Sequence, residues 1–272
     1  LTGKGALTAG PAISVSFLVA AIFCGFAGLC YAEFASMAPV AGSAYTYSYI
    51  AFGEIIAFII GWDLILEYAL GAATVSVGWS GYFANLLGNL GIHIPTVLTA
   101  AAGTTAGVTS YFNLPAFLIV LLITWIISIG ITQTKRVNDT MVIVKLAVIL
   151  LFIVCTIWFI KPHNWQPFSP YGLYSFHNGT AAGIIPAASI VFFSFIGFDS
   201  VSSSAEETIN PSKTLPRGIL LSLFISTVLY IIMTLIMTGV VKFTVFAKYL
   251  NAPVLAAVSY THLRAHETRR HL

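Results

Sequence analysis

Phe192-Phe193-Ser194-Phe195-Ile196-Gly197-Phe198-Asp199-Ser200-Val201-Ser202-Ser203-Ser204-Ala205-Glu206-Glu207 is the stretch on which the fold turns. It closes an apolar run with a glycine, an acid and a serine cluster. A continuous helix in lipid gains nothing from such residues at mid-span. A helix that unwinds there exposes backbone N–H and C=O groups that a solute can bind. The expectation is therefore a membrane helix that unwinds around Gly197, Asp199 and the serine cluster. The phenylalanine stripe alone would indicate only core packing.

Composition sets the medium. Of 272 residues, 58% are hydrophobic and only 8% are Asp, Glu, Lys or Arg, against about 25% charged residues in soluble domains. So few charges cannot cover a water-facing surface, and in lipid every backbone polar group must be paired within the chain, which favours helices. An all-α polytopic membrane protein follows. The net charge of +3 is small, and no basic run in the body of the chain suggests a nucleic-acid partner. Cys24, Cys30 and Cys155 lie in apolar runs, where a thiol acts as a small hydrophobe. The opening residues lack a secretory signal, and the natural N-terminus is expected upstream of Leu1.

Apolar runs long enough to span a hydrocarbon core of about 20 helical residues fall at about 12–32, 52–87, 114–132, 141–160, 181–202 and 218–241. Ala21, Gly25 and Gly28 offer the first of these a small-residue packing face. The second is longer than a bilayer needs, which implies tilt or an interfacial extension. Gly88–Asn113 reads as a loop, as do the stretches holding Lys135, Arg136, Asn138 and Asp139, and Asn210, Pro211, Lys213, Pro216 and Arg217. Lys4, Lys161, Lys242 and Lys248 balance these loops on the opposite face, so charge alone leaves the orientation tied. The triplets Asn138-Asp139-Thr140 and Asn178-Gly179-Thr180 flank one span, so at most one is open to glycosylation. Residues 1–258 form one partial membrane domain. Residues 259–272 hold three of the six histidines and no apolar run, and are read as a non-native or frame-shifted tail. His262 and His266, without a carboxylate partner, make a weak metal site, and no metal or cofactor is expected.

Charges within spans are the informative ones, because each costs on the order of 3 kcal/mol unless it faces a cavity or a partner. Glu33 lies near a span end and can snorkel. Asp63 and Glu67, four apart, share one helix face. They point to an aqueous pathway, pair with a cation, carry a proton, or anchor a neighbouring helix. Lys145 opens the fourth span, and a buried ammonium gives up its proton more readily than an exposed one. It is either a proton carrier or a snorkelling surface lysine. Asp199 sits in the interrupted span.

Three segments resemble the amino acid, polyamine and organocation permeases, and within them the bacterial cationic-amino-acid-transporter-like proteins. These are Tyr31–Met37 with Pro39–Tyr49, Gly61–Tyr68 with Gly78–Tyr82, and Phe195–Asp199 with Ala205-Glu206-Glu207 and Asn210–Pro216. The resemblance implies a partial inverted-repeat fold of five plus five helices, LeuT-like, with helices two to seven present and Leu1-Thr2-Gly3 ending helix one on its outer side. It implies that Phe193 is an aromatic gate and that Ser194, Phe195, Ile196 and Gly197 meet the substrate amino group. Lys145 matches a helix-five lysine that stands at a sodium-site position in proton-coupled members, and Glu67 and Asp199 are further proton or polar contacts. Gly42–Tyr49 matches an inner-face segment, and the loops bearing Lys135 and Lys213 become cytoplasmic. Amino acids, protons and the lipid bilayer are the implied partners, and the plasma membrane the implied location.

The function expected is proton-coupled amino-acid transport by alternating access, the fragment itself being inactive. A channel or receptor, with Asp63, Glu67 and Lys145 in structural pairs, is the competing class. An intramembrane enzyme is weaker still, since no nucleophile has a base or metal set nearby.

Overall fold

A computed structural model describes residues 1–100, 110–129, 131–177, 179–249, 253–254 and 256–258. The tail 259–272 and Asn178 lie outside the described residues. The chain divides into two compact units. One holds Leu1–Tyr68 and the residues from Thr156 onward, and the other holds Ala69–Cys155.

In the first unit, α1 (Thr2–Ala9) is a short helix of its own and ends at Gly10, whose φ of +68° is left-handed backbone. A β-carbon at Gly10 would also run into Pro170 at 2.6 Å, so glycine is required there on two counts. Pro11 then opens a 3-10 turn into α2 (Ile13–Met37). The helix expected to close at Leu1-Thr2-Gly3 thus runs on to Ala9, because no proline or left-handed residue interrupts it before Gly10. On α2 the buried stripe is Ala20, Cys24, Gly28, Ala32 and Ala35, and a β-carbon at Gly28 would lie 3.6 Å from Leu223. The packing face therefore includes Gly28 and is centred on Ala20 and Cys24, while Ala21 and Gly25 sit at its edge.

A short helix, α3 (Ser43–Phe52), leads into α4 (Glu54–Asn89), 36 residues long. At 1.5 Å per residue α4 extends about 54 Å, well past a hydrocarbon core of about 30 Å. The excess length expected for the second span is thus taken up as uninterrupted helix. Its later part belongs to the second unit, with α5 (Leu114–Ile129) and α6 (Ile131–Thr156). The expected loop at Lys135–Asp139 is the opening of α6 instead. No proline or glycine stands between Ile131 and Thr156 to stop a helix, and its charged first turns need no lipid.

Back in the first unit, a three-residue hairpin, β1 (Ser175–His177) and β2 (Thr180–Ala182), precedes α7 (Ile184–Phe192). An all-α expectation missed this hairpin, which lies in a polar connection rather than in an apolar run. The expected span 181–202 is in fact α7 followed by an interruption and a 3-10 segment, Phe198–Glu207. The last long helix, α8 (Pro211–Val240), begins seven residues before the expected Gly218, since proline is favoured in a helix's first turn. Among the described residues, five helices are long and apolar enough to cross a membrane, and Leu114–Ile129 is a shorter apolar helix.

The segment between α6 and β1 is strapped to the end of α8. Asn164 Nδ2 donates to the carbonyls of Gly239 (2.7 Å) and Val240 (3.1 Å), and Trp165 Nε1 to that of Leu235 (3.2 Å). The Gly239 and Val240 carbonyls belong to the last turn of α8, which has no donors of its own for them. The same strap reaches α2 through the Ala12 N–H bond to the Phe168 carbonyl. We expect Asn164→Ala to cost about 1–3 kcal/mol, read as a lower thermal midpoint of the detergent-purified full-length protein. An unchanged midpoint would show that water replaces the asparagine at no cost.

Candidate functional site

The interruption begins where α7 tightens into a 3-10 turn, Phe193–Phe195. Ile196 is extended (φ −56°, ψ 136°) and Gly197 is left-handed (φ +99°), after which helix resumes at Phe198. Nothing lies within 4 Å of a β-carbon built on Gly197, so its dihedral angle and not lack of space calls for glycine. The Gly197 carbonyl accepts the Ser200 N–H (3.1 Å) and the Ser200 hydroxyl (2.6 Å). The Ser194 carbonyl accepts the hydroxyl of Tyr230 from α8 (2.9 Å). Among the described residues, the Ile196 carbonyl and the Gly197 N–H have no backbone partner. Beside them lies a cavity of about 220 Å³ whose lining includes Ser194, Ile196, Gly197, Ser222, Ser226 and Tyr230. A free acceptor and a free donor on adjacent residues, next to a half-polar cavity, can together hold a small polar solute.

In the first turn after the break, Asp199 is 4% exposed. Its Oδ2 accepts hydrogen bonds from the Tyr68 hydroxyl (2.6 Å) and the Ser43 hydroxyl (3.0 Å). Three elements, α3, α4 and the 3-10 segment, thus meet on one carboxylate oxygen. Ser43 itself has φ +50°, a conformation few non-glycine residues adopt. Glu67, half-buried and adjacent to Tyr68, lies close enough to Asp199 for the two carboxylates to repel. Below this cluster Tyr47 is 5% exposed, stacks on Phe34 (5.2 Å, 17°) and meets Tyr31 edge-on (5.9 Å, 70°). Tyr31 in turn meets Phe198 edge-on (5.5 Å, 79°). These rings wedge α3 against α2 and the 3-10 segment.

The residues singled out from sequence thus separate into groups. Phe193, Ser194, Phe195, Ile196 and Gly197 form the break itself, with Phe195 buried and Phe193 half-buried. Glu67 and Asp199 come together, whereas Asp63 is exposed on α4. Lys145 is an exposed residue of α6 in the second unit. Sequence reasoning missed Ser43, Tyr68 and Tyr230. Tyr68 stands beside Glu67 and Ser43 follows Gly42, which are faint signals, while Tyr230 is a single polar aromatic in an apolar helix. Among the described residues no group of three or more His, Cys, Asp or Glu could hold a metal.

A family model described as "Amino acid permease" matches residues 1–265. The chain belongs to the amino acid permease family. It is a multi-pass integral membrane protein of a transporter family and not of an enzyme family. The permease chain is 57% identical over 247 residues to the branched-chain amino acid permease BcaP of Bacillus subtilis, covering 91% of this chain and 51% of that protein. It is 47% identical over 244 residues to the methylthioribose transporter of Bacillus subtilis, covering 89% of this chain and 51% of that one. It is 38% identical over 263 residues to the chloroplastic cationic amino acid transporter 9 of Arabidopsis thaliana, covering 95% and 44%. The permease chain thus spans about half the length of these curated relatives.

If Asp199 ties Tyr68 to the 3-10 segment, Tyr68→Phe and Asp199→Asn will not lower the thermal midpoint additively in the full-length protein. A coupling of about 0.5–3 kcal/mol is expected from a double-mutant cycle. Simple additivity would mean that the 2.6 Å bond contributes nothing.

Proposed function

We propose that the protein containing this chain carries out secondary active transport of amino acids across the plasma membrane, by alternating access and coupled to protons. The chain supplies helices two to seven of a LeuT-like inverted repeat, with α1 as the outer end of helix one. The observation that carries this reading is the break at Ser194–Gly197, whose Ile196 carbonyl and Gly197 N–H have no backbone partner among the described residues. A carbonyl suits a substrate ammonium group, and an amide suits a carboxylate or a bridging water. Phe193 closes over the substrate as the aromatic gate.

Asp199, Glu67 and Lys145 carry the coupling proton. As a carboxylate, Asp199 holds both hydroxyl donors by charge-assisted bonds, which are about twice as strong as neutral ones. Taking up a proton weakens its grip on Ser43 and Tyr68, so one proton changes how α3 and α4 are held to the broken helix. The relatives named for branched-chain amino acids favour an aliphatic neutral substrate. The methylthioribose transporter, at 47% identity, gives a second reading, a thiosugar in the same site.

Reconstituted full-length protein is expected to accumulate radiolabelled L-isoleucine only under an imposed inward proton gradient, with L-arginine and 5-methylthioribose as competitors. Lys145→Ala is expected to abolish gradient-driven accumulation while substrate exchange continues. Retained accumulation in that variant would remove Lys145 from the coupling. Uptake of 5-methylthioribose without uptake of L-isoleucine would replace the amino-acid reading by the thiosugar one. Flux that never exceeds equilibrium would point to a channel.

A further inference from the structure

An α-helix passes each carbonyl to the N–H four residues on, so Ser194 would ordinarily be paired with Phe198. The turn at Ile196 and Gly197 carries Phe198 into a new helical segment. Tyr230 stands where that donor is missing, giving its hydroxyl to the Ser194 carbonyl at 2.9 Å. Its ring is not free to swing. Phe17 of α2 lies 5.2 Å from it and Phe195 lies 5.4 Å from it, nearly edge-on at 82°. Phe17 and Phe195 also touch each other, at 6.3 Å and 61°. Both phenylalanines are buried. The tyrosine is therefore held by aromatic contacts from α2 and from the break, while its one polar atom is spent on the first carbonyl that the break releases.

We propose that Tyr230 is a positioning residue for substrate binding. By satisfying Ser194 it leaves the nearby Ile196 carbonyl as an unpaired acceptor among the described residues and keeps the unwound backbone from sliding into a continued helix. Without the hydroxyl, Ser194 and Ile196 compete for the same substrate donor, and the segment samples registers that bind poorly. Ser226, one helical turn earlier on α8, lines the same cavity, and its small side chain leaves the space beside the tyrosine open. The proposal rests on Ser194–Gly197 being the substrate site.

Tyr230→Phe tests it, since the change deletes one oxygen and retains the ring in its aromatic cluster. In the reconstituted full-length protein, KM for L-isoleucine is expected to rise about fivefold to tenfold, the range for losing one hydrogen bond. The maximal rate is expected to stay within about twofold, the pattern of lost binding and not of lost turnover. The thermal midpoint in detergent is expected to fall only modestly, as for the loss of one hydrogen bond. Two outcomes overturn the role: an unaltered KM, or a fall in maximal rate with KM constant, which would make the tyrosine only structural. Wild-type protein that takes up no amino acid would remove the transport reading beneath the proposal, a result distinguishable from failure of the variant alone.

Discussion

A helix interrupted at membrane depth must find partners for the backbone groups it frees, because the surrounding medium supplies none. The first unit is organised around that constraint. Ser200 folds back onto the Gly197 carbonyl with both its N–H and its hydroxyl, and Tyr230 reaches from α8 to the Ser194 carbonyl. Two of the groups left without a backbone partner among the described residues, the Ile196 carbonyl and the Gly197 N–H, border a cavity. Gly197 makes the turn affordable, since its left-handed φ of +99° would strain any other residue.

The break also sets the position of Asp199. Because helix resumes at Phe198, the acid falls in the first turn of the new segment, with Ser43 and Tyr68 converging on it. A buried carboxylate is tolerable when hydroxyl donors replace its water. Aromatic packing of Tyr47 between Phe34 and Tyr31 brings α3 close enough for Ser43 to be one of those donors. Polar and apolar contacts therefore depend on each other here. The wedge places the donor, and the donor makes the acid acceptable.

At the far end of α8 the same principle appears without a ligand site. The terminal carbonyls of Gly239 and Val240 are taken by Asn164, and Trp165 adds a bond to that of Leu235 one turn earlier. The close approach needs Gly239, where a β-carbon would come within about 3 Å of Ile160 and Trp165. A connection that composition marks only as a polar loop is in this way made part of the packed structure.

Residue chemistry along the chain was enough to reveal a helical membrane protein, a helix that unwinds around Gly197 and the charged residues worth following, because hydropathy and helix-breaking residues are local properties. Helix ends were less legible. Charged first turns continue α6 through Lys135–Asp139, and Pro211 starts α8 instead of ending a loop. Residue pairings were not legible at all. Tyr68 and Ser43 reach Asp199 across 131 and 156 residues of sequence, and Tyr230 reaches Ser194 across 36. The sequence by itself determined the medium, the helices and the place where one of them breaks. Only the tertiary structure decided which hydroxyls satisfy the broken backbone and the buried acid, because those bonds depend on how helices far apart in the chain come to lie side by side.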